Sequence, residues 1–236
     1  MDRAPALTIV VPARDEEPNL APLVAEVEET LGACRDAFEL VVVDDGSRDG
    51  TPALLASLAA ARPWLRVVRL ESPCGKTAAL RRGFGEARAA VVATMDADLQ
   101  DDPRDLAPML ELLSSGRADF VQGLRARRAD GALRAAAARV GRAARRLVLG
   151  DATCDTGGGL RVLRAEVARA LPLGREGMHR FLPYLAGSLG ARVVELPVSH
   201  RARRAGRSHY GLLDRGIAGL ADLLFVRRMT RRRGER

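Results

Sequence analysis

Val91-Val92-Ala93-Thr94-Met95-Asp96-Ala97-Asp98-Leu99-Gln100-Asp101-Asp102-Pro103 runs from an apolar segment straight into four carboxylates, an amide and a proline. The apolar part reads as a buried strand. Residues two apart on a strand face the same way, so Asp96 and Asp98 are expected side by side with Ala97 pointing opposite. Two adjacent carboxylates repel unless a cation lies between them, and oxygen-only ligands suit Mg²⁺ or Mn²⁺. The alternative is an acidic strand-to-helix loop in which Asp101 or Asp102 caps a helix that Pro103 begins.

Working outward, the same strand-then-acid pattern recurs. Leu7 to Val11 is a strand ending at Pro12, followed by a helix from Glu17 to about Gly32 with Leu20, Leu23, Val24, Val27 and Leu31 on one face. Phe38 to Val43 is a second strand, ending in Asp44-Asp45-Gly46-Ser47, after which Thr51-Pro52 caps and starts a helix to about Ala61. Leu65 to Leu70 is a third strand and Lys76 to Arg88 a helix; Ala90 to Asp96 is the fourth strand, with a helix from Pro103 to about Ser115. Asp119 to Gly123 is a short fifth. Strands alternating with helices at this spacing predict an α/β fold built on a mostly parallel sheet, with functional loops beyond the carboxyl ends of the strands.

Past Gly123 the pattern changes. Arg125 to Leu149 is expected as a long Arg/Ala helix or helix pair, Asp151 to Gly159 as a loop, and Leu160 to Leu163 and Ala191 to Val198 as strands. Helical segments are expected around Arg164 to Leu171 and Gly177 to Leu189. A basic run from Ser199 to Tyr210 leads into a final amphipathic helix carrying Leu212, Leu213, Ile217, Leu220, Leu223 and Leu224.

Charge is divided unevenly. Residues 1–116 carry 12 basic and 20 acidic side chains, whereas residues 117–236 carry 26 and 10, which gives the second half the attraction for an anionic partner. Of the 38 basic residues, Lys76 alone is lysine, and a compact ammonium is not interchangeable with a guanidinium. Cys34, Cys74 and Cys154 form no CxxC pair and are odd in number, which favours a reduced, cytoplasmic protein without a disulfide framework. The first residues do not read as a signal peptide, and no apolar run approaches the roughly 20 residues that span a bilayer. Nucleic-acid binding is disfavoured: the chain has two Tyr, one Trp and no recognisable binding motif.

Gly75-Lys76 at a helix start suits an anion, but the P-loop spacing is absent. Asp44-Asp45-Gly46-Ser47 alone is equally a turn. In combination, and in this order, Val10 to Glu16, Val42 to Thr51, Gly75-Lys76 and Asp96-Ala97-Asp98-Leu99-Gln100 resemble the family 2 glycosyltransferases with a GT-A fold. Within them the chain looks like the dolichol-phosphate mannosyltransferases and other polyprenyl-phosphate glycosyltransferases. Supporting marks are Gly123-Leu124-Arg125 with Arg128-Ala129-Asp130, Asp155 to Arg161, and His200-Arg201 through Gly206, Ser208 and Tyr210.

The resemblance implies a metal-dependent, inverting transfer of a sugar from GDP-mannose or a UDP-sugar to a polyprenyl or dolichyl phosphate. It implies a nucleotide-sugar site at Pro12, Ala13, Arg14, Glu16, Asp44, Asp45, Lys76, Asp96, Ala97 and Asp98. Mg²⁺ or Mn²⁺ would be held by Asp96, Asp98 and Gln100, with Asp155 and Asp98 as the catalytic carboxylates. Asp155 has the second reading of orienting Arg161. Arg125, Arg134, and Arg203 or its neighbour Arg201, match arginines near the lipid phosphate, for which bidentate guanidinium pairing is the physical reason. The chain departs from the family at Ala138 and Arg142, where Ser and Asn are usual, and at His209, where Lys is usual. A soluble or cell-envelope saccharide acceptor is the alternative.

The expected organisation is a catalytic domain over 1–206 and a basic amphipathic helix and tail over 207–236. That helix is expected either to lie on the anionic cytoplasmic membrane surface or to pack on the domain, a second copy or a membrane partner subunit.

Overall fold

A computed structural model describes residues 4–32, 37–125, 132–201 and 212–234; for 132–138, 212–218 and 232–234 it describes the backbone alone. The first half alternates strand and helix: β1 (Leu7–Ala13), α1 (Glu17–Leu31), β2 (Phe38–Asp44), α2 (Thr51–Ala60), β3 (Leu65–Arg69), α3 (Lys76–Glu86), β4 (Val91–Thr94) and α4 (Leu106–Ser114). The second half continues with β5 (Phe120–Arg125), α5 (Ala132–Leu149), β6 (Arg161–Arg164), α6 (Ala165–Ala170), α7 (Leu182–Ser188), β7 (Val193–Val198) and α8 (Leu212–Gly234).

The seven strands form one sheet in the order β3-β2-β1-β4-β6-β5-β7. Every pairing is parallel except those of β6, which runs antiparallel to both β4 and β5. Strand alternation divides the core between the two faces. Ile9, Val11, Leu40 and Val42 pack with α1, α2 and α4 on one face; Val10, Val41 and Val43 pack with α3, α6, α7 and α8 on the other. Burial on both faces explains why β1 and β2 read as continuous apolar runs. α3 lies so close to the sheet that a Cβ on Gly83 would stand 2.2 Å from the Val10 side chain.

Boundaries differ from the sequence reading where polar contacts intervene. Regular β4 pairing ends at Thr94, because the Asp96 N–H turns to the Asp101 carboxylate (3.1 Å). α3 stops at Glu86, and the Arg88 N–H instead donates to Glu39 (2.8 Å). Thr51 is not a cap: Gly50 holds that position, and the Thr51 hydroxyl accepts from the Glu16 N–H (3.0 Å). Pro103 opens a 3-10 turn that precedes α4, and Asp102 caps it by accepting from the Arg104 N–H. Arg125, expected to begin a helix, ends β5.

α8 is held to the body by Leu223 and Val226, both buried, and by the carboxylate of buried Asp222, which pairs with Arg175 and Arg180. The expected apolar stripe is therefore split: Leu223 faces inward while Leu220 and Leu224 are exposed. The expected boundary at 206/207 lies outside the described residues.

Candidate active site

The loops after β1, β2, β3 and β4 all leave from the same carboxyl edge of the parallel sheet, which gathers the acidic motifs. After β4, Met95, Ala97 and Leu99 are buried in the core, alternating with Asp96, Asp98 and Gln100. Leu99 takes a left-handed backbone (φ 62), a strained conformation for a bulky residue and one met at functional loops.

Lys76 at the start of α3 places its Nζ 2.5 Å from Asp96 Oδ1. Burial favours the neutral carboxyl at Asp96, but Lys76 and Arg161 outweigh it and hold the group below its ordinary range. Asp101 accepts from the Asp96 N–H, and its burial together with the Asp96 charge pushes its carboxyl up to about 7. Asp98 is buried and accepts from the Gln100 N–H (3.3 Å). Gly159 backs the group: a Cβ there would lie 2.4 Å from Asp96 Cγ and 2.7 Å from Asp101 Oδ2. Among the described residues no set of three His, Cys, Asp or Glu side chains forms a ready metal-holding group.

The Gly75-Lys76 turn differs from an open anion site. Both Asp45 oxygens accept its backbone, from the Cys74 N–H (2.7 Å) and the Gly75 N–H (2.9 Å), and Glu176 accepts the Thr77 N–H (3.0 Å). Protein carboxylates thus fill the donors that a helix start offers to anions. His179 bonds Thr77 through Nδ1 (2.8 Å), and burial with the nearby Lys76 charge pushes its pKa down to about 2. Asp44 is buried, accepts from the Ser47 N–H (2.9 Å) and lies 3.5 Å from Arg69. Pro12 and Ala13 end β1 beside Val43 and Asp44. Glu16 bonds Asn19 (2.6 Å), and Arg14 is exposed beside Asp15.

A second cluster stands on the β5–β6 side. Asp155 is buried and receives both Nε (2.7 Å) and a terminal nitrogen (2.9 Å) of Arg125. Asp155 thus pairs with Arg125, and its charge also acts on Arg161. Arg161, also buried, instead bonds Gln122 (2.9 Å) and the carbonyls of Gly159 and Thr156. Glu195 on β7 fixes the Asp155 loop by accepting the N–H groups of Cys154 (3.0 Å) and Asp155 (3.1 Å).

Of the other expected phosphate arginines, Arg203 lies outside the described residues and so does the Arg134 side chain. Arg201 is engaged elsewhere, with Glu26 (2.7 Å) and Asp102 (2.6 Å). Gln100 turns its amide nitrogen to the Arg201 carbonyl (3.1 Å). Sequence reasoning missed Asp101 as the buttress of Asp96, and missed Glu26, Glu176, His179 and Glu195 altogether. Asp101 alone carried a signal, as a third carboxylate in the same run.

A mostly parallel sheet with one reversed strand, and a carboxylate pair with a lysine at its carboxyl edge, defines the class: a GT-A glycosyltransferase. The chain belongs to glycosyl transferase family 2, whose family model matches residues 8–171. It is 37% identical over 235 residues to dodecaprenyl-phosphate galacturonate synthase of Rhizobium johnstonii, an alignment spanning 93% of this chain and 66% of that protein. It is 34% identical to undecaprenyl-phosphate 4-deoxy-4-formamido-L-arabinose transferase of Edwardsiella ictaluri, over 88% of this chain and 63% of that one. The chain thus spans less than two thirds of the length of these relatives. Glucosyl-3-phosphoglycerate synthase from Mycobacterium tuberculosis, solved with Mn²⁺, UDP and phosphoglyceric acid, shares the fold at a TM-score of 0.73 and 22% identity, over 94% of this chain and 78% of that one. A mannosyltransferase from Pyrobaculum calidifontis, solved with GDP-Man and Mn²⁺, does so at 0.65 and 21%, over 88% and 59%.

Proposed function

We propose that the chain transfers a sugar from a nucleotide sugar to a polyprenyl phosphate in a reaction that needs Mg²⁺ or Mn²⁺. The observation that carries this is the closeness of two charge clusters along the Gly157–Gly159 turn: Asp96, paired with Lys76, and Asp101 lie against Gly159, and Arg125, paired with Asp155, lies against Gly157. The names of the 37% and 34% identical relatives support the acceptor class, and the Mn²⁺ complexes of the fold's other members support the metal.

The donor set fits a hard divalent cation. Asp96 and Asp98 offer only oxygen, and Asp101, pushed up by burial and then by the Asp96 charge, adds a third carboxyl beside them. Asp96, Asp98 and the amide oxygen of Gln100 would hold it. The bound ion would supply Lewis-acid neutralisation of charge growing on the nucleoside diphosphate.

The chain's own groups do the rest. Lys76, whose ammonium stands beside Asp96, would offer its charge to the diphosphate. Pro12, Ala13, Arg14, Glu16, Asp44 and Asp45 line the nucleotide end. Arg125, held flat by Asp155, presents its remaining N–H donors to the acceptor phosphate, with Arg134 and Arg203 as further cations. A phosphate oxygen is already anionic at neutral pH, so Asp155 serves the reaction chiefly by orienting Arg125.

No helix among the described residues is long and apolar enough to cross a membrane. α5 and α8 instead expose Leu147, Val140, Leu220 and Leu224 beside Arg139, Arg146 and Arg228. We infer that this face rests on the anionic cytoplasmic leaflet. Incubation of labelled GDP-mannose and UDP-sugars with undecaprenyl or dolichyl phosphate and Mn²⁺ tests the reaction. Label should become chloroform-extractable with one donor and be lost on chelation; no extractable label with any donor and either lipid overturns the proposal.

A further inference from the structure

We infer that Arg201 is a positioning residue: it latches the chain leaving β7 onto the loop that carries Asp96 and Asp98, and binding of the acceptor depends on that latch. This rests on the transfer reaction proposed above. The basis is a set of contacts that join the chain leaving β7 to α1 and to the loop after β4. The guanidinium of Arg201 pairs with Glu26 on α1 (2.7 Å) and with Asp102 (2.6 Å), the residue that caps the turn before α4. Its backbone makes a reciprocal bridge with Gln100: the Arg201 N–H donates to the Gln100 carbonyl (2.9 Å), and Gln100 Nε2 donates to the Arg201 carbonyl (3.1 Å). Two residues earlier, the Ser199 N–H donates to Asp105 (2.7 Å). Three successive attachments therefore run along Ser199 to Arg201, all to the stretch Gln100 to Asp105 and its neighbour α1.

This arrangement argues against Arg201 gripping the acceptor phosphate itself. Its guanidinium is already committed to two carboxylates, Glu26 and Asp102, so a phosphate would have to displace one of these charge-assisted pairs to be bound. Asp102 is firmly placed, because Arg104 also binds it through two nitrogens (3.0 and 2.9 Å). Gln100 is the mechanical link: its backbone and amide hold Arg201 while the same loop carries Asp96 and Asp98. The latch thereby ties the end of β7, through Ser199 to Arg201, to the donor-side carboxylates.

The two roles give opposite outcomes in the Glu26→Gln variant of the full chain. A latch that loses a charge-assisted hydrogen bond is weakened roughly tenfold. The KM for undecaprenyl phosphate should rise by about that factor while the KM for the nucleotide sugar stays within about twofold. Arg201→Gln should behave alike, the double variant should be no worse than either single one, and Arg201→Lys should fall between. If Glu26→Gln lowers the acceptor KM or leaves it unchanged while Arg201→Gln raises it, Arg201 contacts the phosphate and the latch is overturned. Amide hydrogen exchange over Ser199 to Arg201 reads the latch without turnover: Glu26→Gln should speed it roughly tenfold, and unchanged exchange overturns the latch. A chain that transfers no sugar yet shows faster exchange would refute the transfer reaction and keep the attachment.

Discussion

Gly159→Ala probes the site through shape alone. The added Cβ would stand 2.4 Å from Asp96 Cγ, 2.5 Å from Asp96 Oδ1 and 2.7 Å from Asp101 Oδ2, where ordinary contact begins at 3.4 Å. Asp96 must therefore retreat by about 1.0 Å, the difference between 3.4 and 2.4. It has little freedom to do so, because Lys76 holds its carboxylate and Asp101 its N–H. A misplacement of ~1 Å in a group that orients reacting atoms costs on the order of 10²-fold. That corresponds to ~2.7 kcal/mol in activation free energy. The overpacking should cost ~1–3 kcal/mol of stability, within the margin of most domains. Initial rates of lipid-extractable product across a Mn²⁺ series, with Mn²⁺ binding read by electron paramagnetic resonance, measure both effects. The expected result is a hundredfold fall in kcat/KM with weakened Mn²⁺ binding. Gly174→Ala, at a position with nothing within 4 Å, should leave both unchanged. A Gly159→Ala protein with full kcat/KM and unaltered Mn²⁺ affinity would refute the placement of the site at Asp96.

Other perturbations follow from the same geometry. Asp98→Asn should abolish metal-dependent transfer while leaving the melting temperature within a few degrees, as rate and calorimetric scans can check. Lys76→Arg should lose more than ~10-fold in kcat/KM, since a planar guanidinium cannot replace the compact ammonium 2.5 Å from Asp96; full activity would remove the point-charge argument. Two glycines of α3 should respond oppositely in denaturant titrations. Gly83→Ala meets Val10 at 2.2 Å and should destabilise by ~1–3 kcal/mol, whereas Gly85→Ala meets nothing and should stabilise by up to ~1 kcal/mol. His179, pushed down to about 2, stays neutral in the fold while the unfolded chain takes up a proton below its ordinary value of 6.5. Its contribution is thus complete above pH 6.5 and declines as pH falls toward 2, by at most ~1.4 kcal/mol per pH unit. Wild type and His179→Gln should differ in slope over that window, and parallel stability curves would contradict the burial of a neutral imidazole.

The fold is legible in the sequence wherever one period or one local motif carries the information. Apolar runs of strand length mark β1 to β4, and the acids at their ends locate the carboxyl edge. The reversal of β6 is hidden, because a run such as Leu160 to Leu163 reads alike in either direction. Pairings between distant residues are hidden for the same reason: Arg201 and Glu26 are 175 positions apart, and neither marks the other. Arg125 illustrates the limit well. Its place near a phosphate follows from the family resemblance, but the sequence offers Arg161 as the partner of Asp155, since two arginines equally able to pair with one carboxylate are separated only by the fold. Asp101 reads as a helix starter because its neighbours Asp102 and Pro103 are; the turn at Leu99, with its left-handed φ, brings it back onto Asp96.

The most direct measurement compares two acceptors that differ only in the phosphate. The full chain, Mn²⁺ and the active nucleotide sugar are incubated with undecaprenyl phosphate or with undecaprenol, and the lipid product is identified by mass spectrometry. The proposed reaction gives a glycosyl phosphodiester from the phosphate, none from the alcohol, and none from either once Mn²⁺ is chelated. Transfer to the alcohol, transfer without a divalent ion, or label confined to a water-soluble saccharide would contradict it.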